Sequence, residues 1–250
     1  MPVGLTAGLW GLFAGGALVV GAAIAWFVSV PKKVVASIMA FGAGVLISAL
    51  AFDLVDDADR AGGLVPTSLG FLVGAVAYVA ANVVLARRGA RHRKRSGDHQ
   101  SSEAEQAGSG VAIAVGALLD GIPESIVLGV SLLEGGGVGI AVLAAIFISN
   151  LPEGLSSAAG MKSNGRSARY VFGVWTGIAV ASGIAALLGY LLLQGASPVL
   201  IAMITAVAAG AILAMITDTM IPEAFENAHL YSGLFATLGF LAAFTISRGT

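Results

Sequence analysis

The run GVAIAVGALLDGIPESIVLGVSLL, residues 110–133, is apolar over a membrane-crossing length, yet holds Asp120, Pro123 and Glu124 in its middle. About 20 mainly apolar residues carry a helix across the roughly 30 Å of bilayer hydrocarbon. The next run, GGVGIAVLAAIFISNLPEGLSSAAG, residues 136–160, repeats the phrase. Ser149-Asn150-Leu151-Pro152-Glu153-Gly154 stands there as Asp120-Gly121-Ile122-Pro123-Glu124-Ser125 stands in the first. Glu153 follows Glu124 by 29 residues, the spacing of one crossing, a short turn and a return to similar depth. Each proline lacks an N–H and frees the carbonyl four residues earlier, at Leu119 and Ile148. Inside a membrane such a carbonyl needs a neighbouring helix, water or an ion as partner. Asp120 and Ser149 each precede a glutamate by four residues and so share its helix face. Two such faces turned together predict an oxygen cage at mid-membrane built from Asp120, Glu124, Ser149, Asn150 and Glu153.

A carboxylate at the bilayer centre costs roughly 2.5–3.5 kcal/mol on insertion scales. Three in one small volume cannot all ionise unless a cation sits among them. A protonated, hydrogen-bonded structural acid is the plain alternative for any one of them. The duplicated proline–glutamate element favours a cation site.

The rest of the chain fits this frame. Of 250 residues, 57% are hydrophobic and 11% charged, against about 25% charged in soluble domains, so the chain is an integral membrane protein. Thirty-five glycines would let membrane helices pack closely. With no cysteine, disulfides and thiolate metal sites are excluded. The N-terminus has no basic region before its apolar run, so a cleaved signal peptide is not expected. Eight apolar segments stand out, near 5–29, 34–55, 64–86, 110–133, 136–160, 169–193, 197–220 and 231–247. They divide one membrane domain into 1–86, a basic loop at 87–109, the cage-bearing 110–160, and 161–250.

The loop reads Arg87-Arg88-Gly89-Ala90-Arg91-His92-Arg93-Lys94-Arg95 and then a Ser, Gly, Glu and Gln stretch, which predicts a flexible, solvated segment whose basic run marks topology. His92 and His99 offer metal-chelating nitrogens there. With eight alternating spans, eleven Lys and Arg fall on one side and only Arg60 and Arg248 on the other. The positive-inside rule then puts the loop in the cytoplasm and both termini outside. Asp53, Asp56, Asp57 and Asp59 close the second segment at the external mouth, where they would concentrate cations or serve only as a solvated helix end. Asp53 is the deepest. The seventh segment ends in Thr217-Asp218-Thr219-Met220-Ile221-Pro222-Glu223-Ala224-Phe225-Glu226-Asn227-Ala228-His229. Asp218, buried by its position, precedes Glu223 by about one turn. Glu223, Glu226 and His229 form a candidate cytoplasmic exit, although a lone histidine at a helix junction is ordinarily a structural hydrogen-bonder.

The two proline–glutamate phrases resemble the ZIP (Zrt/Irt-like) family of divalent metal transporters, whose fourth and fifth helices carry His-Asn-x-Pro-Glu-Gly-like motifs. Pro123-Glu124 and Asn150-x-Pro152-Glu153-Gly154 match; Asp120, Gly121, Ser125 and Ser149 depart from the pattern. The stretch at 221–229 is similar to the Ile-Pro-Glu-x-His-x-x-Gly-His of the bacterial GufA-like group. Pro222, Glu223 and His229 match there, and Phe225 replaces a histidine. Relatives often carry Glu-Pro near Val180-Ala181, where this chain has no acid, which makes a second bridged metal less expected.

The resemblance implies an all-α, eight-span fold in a 3+2+3 arrangement with inverted repeats, set in the plasma membrane. It implies a divalent cation as transported substrate, zinc first with Mn, Fe and Cd as rivals, taken up toward the cytoplasm. The cation would pass Asp53, the cage, Asp218, Glu223, Glu226 and His229. The partners are the lipid bilayer and the cation, with no nucleic acid and with room for a homodimer. No covalent chemistry is expected. Ser149 has no His or Lys at helical spacing, which speaks against an intramembrane enzyme. A metal-binding receptor or scaffold without transport, and a transporter of protons or organic cations, use the same acids. Because oxygen replaces histidine in the cage, relaxed selectivity is expected.

Overall fold

The computed structural model describes residues 2–96, 99–133 and 139–249, and leaves the side chain of Asn227 aside. Among the described residues the ordered structure is helical throughout, and eight helices are long and apolar enough to cross a membrane. They are α1 (Val3–Phe27), α2 (Lys32–Gly62), α3 (Leu64–Ala90), α4 (Ser109–Ser131), α5 (Ile140–Ser163), α6 (Ala168–Leu193), α7 (Pro198–Glu226) and α8 (His229–Gly249). All eight expected segments are present. Three run on at their C-terminal ends through a π-helical turn: α2 through its aspartates to Gly62 (turn Leu50–Leu54), α3 to Ala90 (turn Ala86–Ala90) and α7 past Pro222 (turn Ile216–Met220).

Which helix meets which follows from glycine. Packing of α2 on α8 is reciprocal: a Cβ on Gly44 would lie 1.9 Å from the Ala236 carbonyl oxygen, and one on Gly239 would lie 2.0 Å from that of Phe41. At the crossing of α3 and α7 the same device recurs, with Gly74 against Val207 and Gly210 against Phe71, both at 1.9 Å. Two backbones can approach this closely only where the residue facing the other helix's carbonyl carries no side chain. We expect Gly210→Ala to force α3 and α7 apart and destabilise the protein by about 1–3 kcal/mol, the usual range for overpacking. Thermal unfolding in detergent reads this directly.

The contacts obey a rule. Helix α1 packs on α5 and α6, α2 on α5, α7 and α8, α3 on α7, and α4 on α6 and α7. Exchanging α1 with α6, α2 with α7, α3 with α8 and α4 with α5 returns the same set of pairs. The π turns inside α2 and α7 obey it too, since these helices are partners under the exchange, while the turn that ends α3 has no π counterpart in α8 among the described residues. So do two acids. Asp53, in the α2 turn, accepts a 2.7 Å hydrogen bond from Ser247 of α8; Asp218, in the α7 turn, accepts one of 3.0 Å from Asn82 of α3. Helices α3 and α8 lie outermost and present Leu69, Leu72, Val73, Val76, Leu238 and Leu241 outward, an apolar surface suited to lipid.

Candidate cation site

Helices α4 and α5 carry Asp120, Glu124, Ser149, Asn150 and Glu153 into the interior, where all five are buried. Small neighbours make the room. Helix α4 is glycine- and alanine-rich around Asp120, and α5 offers Ser156, Ser157 and Gly160 on the C-terminal side of Glu153.

The basic loop corrects the sequence reading. It is not a solvated, flexible segment over 91–96. Gly89 (φ 99°) ends α3 in a backbone conformation that favours glycine, and the chain turns back into the bundle. Arg93 and Lys94 end 2% and 5% exposed. Arg93 grips Asp120 with two parallel bonds, Nε to Oδ2 at 2.9 Å and Nη2 to Oδ1 at 2.7 Å. That fork-to-fork geometry is the strong form of the pair. Tyr78 donates to the same Asp120 Oδ1 at 2.6 Å, and Arg93 also donates to Tyr78 and Asn82. Gly116 leaves the space for this arginine: a Cβ there would stand 2.6 Å from Arg93 Cδ. Burial alone would weaken the arginine's hold on its proton; the adjacent Asp120 carboxylate more than reverses this, so Arg93 keeps its charge.

Lys94 reaches further in. Its Nζ stands 2.7 Å from Glu153 Oε2 and 3.4 Å from Asp120 Oδ2. Although close, the ammonium makes no well-aligned hydrogen bond among the described residues. Glu153 Oε1 and Glu124 Oε1 are likewise buried without a hydrogen-bond partner there. Glu124 lies within electrostatic reach of Glu153, Lys94 and Asp120, but no cationic side chain pairs with it among the described residues. A cavity of about 10 Å³ adjoins Lys94, Asp120, Asn150 and Glu153, enough for about one water.

Beyond this cluster the loop is tied to α5 and α7. Ser156 Oγ donates to the Lys94 carbonyl at 2.6 Å, and Gln100 donates to the carbonyls of Arg93, Arg95 and Ser157. Glu223 accepts from Ser96 N, Ser96 Oγ and Ser156 Oγ. Arg95 pairs with Glu226, and His99 Nε2 lies 2.9 Å from the other oxygen of that carboxylate. Further along, Glu103 accepts from the first amides of α4, Gly108 and Gly110. These backbone donors, with Arg166, hold its carboxyl below the usual carboxylate range. The half-buried His92 ring is pushed below the usual histidine value of 6.5 by desolvation and by the charges of Arg95 and Arg91, with His99 adding a smaller push. Charging this ring therefore opposes docking. The docked loop is favoured above about pH 6.5 and loses ground as pH falls below it. Hydrogen exchange at the 91–96 amides, corrected for intrinsic rates, is expected to quicken between pH 7.5 and 5.5, and His92→Ala to remove that change.

The remaining predicted residues take separate places. Ser149 donates to the Ile146 carbonyl of its own helix, and Asn150 donates to the Ala14 carbonyl of α1. Asp53 is half-buried at the other end of the bundle, where Asp56 and Asp59 line a groove of about 730 Å³. Asp218 was expected to be buried and is exposed, because the π turn shifts its phase. Glu223 is buried and Glu226 half-buried. His229 lies exposed at the junction with α8, and His99 stands beside Glu226 instead. Among the described residues no three His, Cys, Asp or Glu side chains converge as a ready-made metal site. Sequence reasoning missed Tyr78, Arg93, Lys94, Ser96, Gln100 and Ser156. Only the basic run at 91–95 carried a signal, and it read as topology.

These features define a class: a polytopic helical membrane protein with three interior carboxylates, two of them paired to an inserted basic segment. Scans against protein-family models and against curated proteins find no match.

Proposed function

We propose that this chain is a ZIP-like transporter that moves a divalent cation through the bundle toward the cytoplasm. The observation that carries this is the buried group of Asp120, Glu124 and Glu153, two of whose carboxylates, Asp120 and Glu153, already hold the Lys94 ammonium. A site that stabilises an ammonium in a buried setting has the field that a metal cation needs. Zinc is the first candidate, with Mn²⁺, Fe²⁺ and Cd²⁺ admitted by the all-oxygen ligand set. Glu124 and Glu153 are the ligands on this reading, with Ser149 and Asn150 beside them. Asp53 serves the outer approach, and Glu223 and Glu226 serve the exit, with Asp218 and His229 at its margin.

The contact pairs that survive exchange of α1–α3 with α6–α8 support a 3+2+3 arrangement. Because successive spans alternate in direction, the repeats it relates are inverted, a common transporter design. Both termini lie outside the plasma membrane on this reading. The ammonium in the cage also favours a second reading, transport of an organic ammonium ion or a proton.

Flux into proteoliposomes separates them. Uptake of labelled zinc, with competition by unlabelled Mn²⁺, Fe²⁺ and Cd²⁺, is expected. Absence of any divalent flux, with methylammonium or proton flux in its place, would favour the second reading. Metal binding without flux would mean a receptor or scaffold.

A further inference from the structure

We infer that Lys94 is a tethered competitor for the cation seat, so that its withdrawal sets the concentration at which cargo binds; this rests on the transport reading above. The two basic side chains of the inserted segment are built differently. Arg93 is anchored: its guanidinium is matched by both Asp120 oxygens, Tyr78 and Asn82, and its stem fills the gap at Gly116. Lys94 is placed but not saturated. It stands between Glu153 and Asp120 by charge, and three polar groups of the seat, Lys94 Nζ, Glu153 Oε1 and Glu124 Oε1, have no hydrogen-bond partner among the described residues.

An ammonium is a compact point charge on a flexible four-carbon stem, the side chain best able to imitate a small cation and to leave. A divalent ion on Glu153 and Asp120 would stand against the Lys94 ammonium, and like charges that close repel, so the ion must replace it. Backbone contacts support the lysine from the cytoplasmic side. Ser156 bonds its carbonyl, Gln100 bonds the carbonyls on either side, and Gly160 lets the Arg95 carbonyl come close, since a Cβ there would meet that oxygen at 2.0 Å. The tether is thus fixed at its backbone while the charged tip is held by its ion pairs to Glu153 and Asp120. Apparent affinity for cargo is then the intrinsic affinity scaled by the fraction of molecules in which the tip has left.

The absence of native cysteine allows a clean test. Ser157 is buried and lines the same cavity, so Ser157→Cys reports on the seat by its rate of alkylation in the full-length protein. Mn²⁺ serves as the probe cation because it has little taste for thiolate. Lys94→Gln is expected to speed alkylation roughly tenfold or more, and to lower by a similar factor the Mn²⁺ concentration that protects the thiol. Lys94→Arg, which keeps the charge, is expected to stay slow. Faster alkylation in Lys94→Gln with no protection by Mn²⁺ in any variant upholds the competitor and refutes the divalent-cation reading. Unchanged alkylation with equal Mn²⁺ protection in both refutes the competitor and leaves that reading standing. Unchanged alkylation without protection refutes both. Should Lys94→Gln fail to fold, Lys94→Gln/Glu153→Gln, which removes both charges of the pair, carries the accessibility measurement. The parent rate in that variant overturns the proposal.

Discussion

Asp120→Ala is expected to cost about 3–5 kcal/mol of stability, because it strands the Arg93 guanidinium in the interior. The cost comes less from the bonds lost than from the charge left behind. Arg93 is 2% exposed, and its other acceptors, Tyr78 and Asn82, are neutral. Arg93→Met should be damaging for the mirror reason. The double variant Asp120→Ala/Arg93→Met should recover part of the loss, since two apolar side chains in a buried pair's place can match or exceed its stability. Thermal unfolding of the four proteins in detergent, treated as a double-mutant cycle, measures the coupling. Additive losses would mean that the pair is not the unit that holds the loop in.

Glu124→Gln is expected to do the opposite: to abolish flux and leave the fold intact. Among the described residues Glu124 has no cationic partner, and its Oε1 has no hydrogen-bond partner. Substituting an amide of the same shape strands no opposite charge. Stability should stay within about 1 kcal/mol of the parent, as for substitutions that break no buried pair. Transport should fall at least tenfold, since losing even the partners of metal ligands costs 10–100-fold. Metal uptake into proteoliposomes, set beside unfolding of the same preparations, gives both readings. Full flux would remove Glu124 from the path. On the transport reading the two variants assign distinct tasks to acids that look alike in the sequence: Asp120 holds the loop, and Glu124 is left for the cation.

That distinction shows where the sequence is legible. Eight spans can be read because each is a long apolar run, and the interior acids because charge in such a run demands a reason. The partner of Asp120 cannot be read, because it lies 27 residues earlier in a segment whose composition is that of a solvated loop. Polar ends misled in the same way. The aspartates after Asp53 look like the end of α2, but the helix carries them on to Gly62. Asp218 and Thr217 stand exposed at the π turn of a helix that buries Ile216, Thr219 and Met220 around them. The exchange symmetry escapes the eye for another reason. It is written in glycines that meet backbone rather than matching side chains, so no aligned residue identities record it.

The π turns have a geometric consequence. A turn with one residue more than its neighbours advances everything beyond it by about 100° around the helix axis. In α7 that advance lies between Met215 and Glu223, so the inner end of the helix is clocked independently of the long apolar stretch before it. Glu223 meets Ser96, and Glu226 meets Arg95 and His99, because of one extra residue upstream. Helix α2 is clocked in the same way at the opposite end of the molecule, where its turn orients Asp56 and Asp59. The two ends of the bundle thus share one construction: a straight shaft set by glycine packing, and a polar head rotated on it by a single residue.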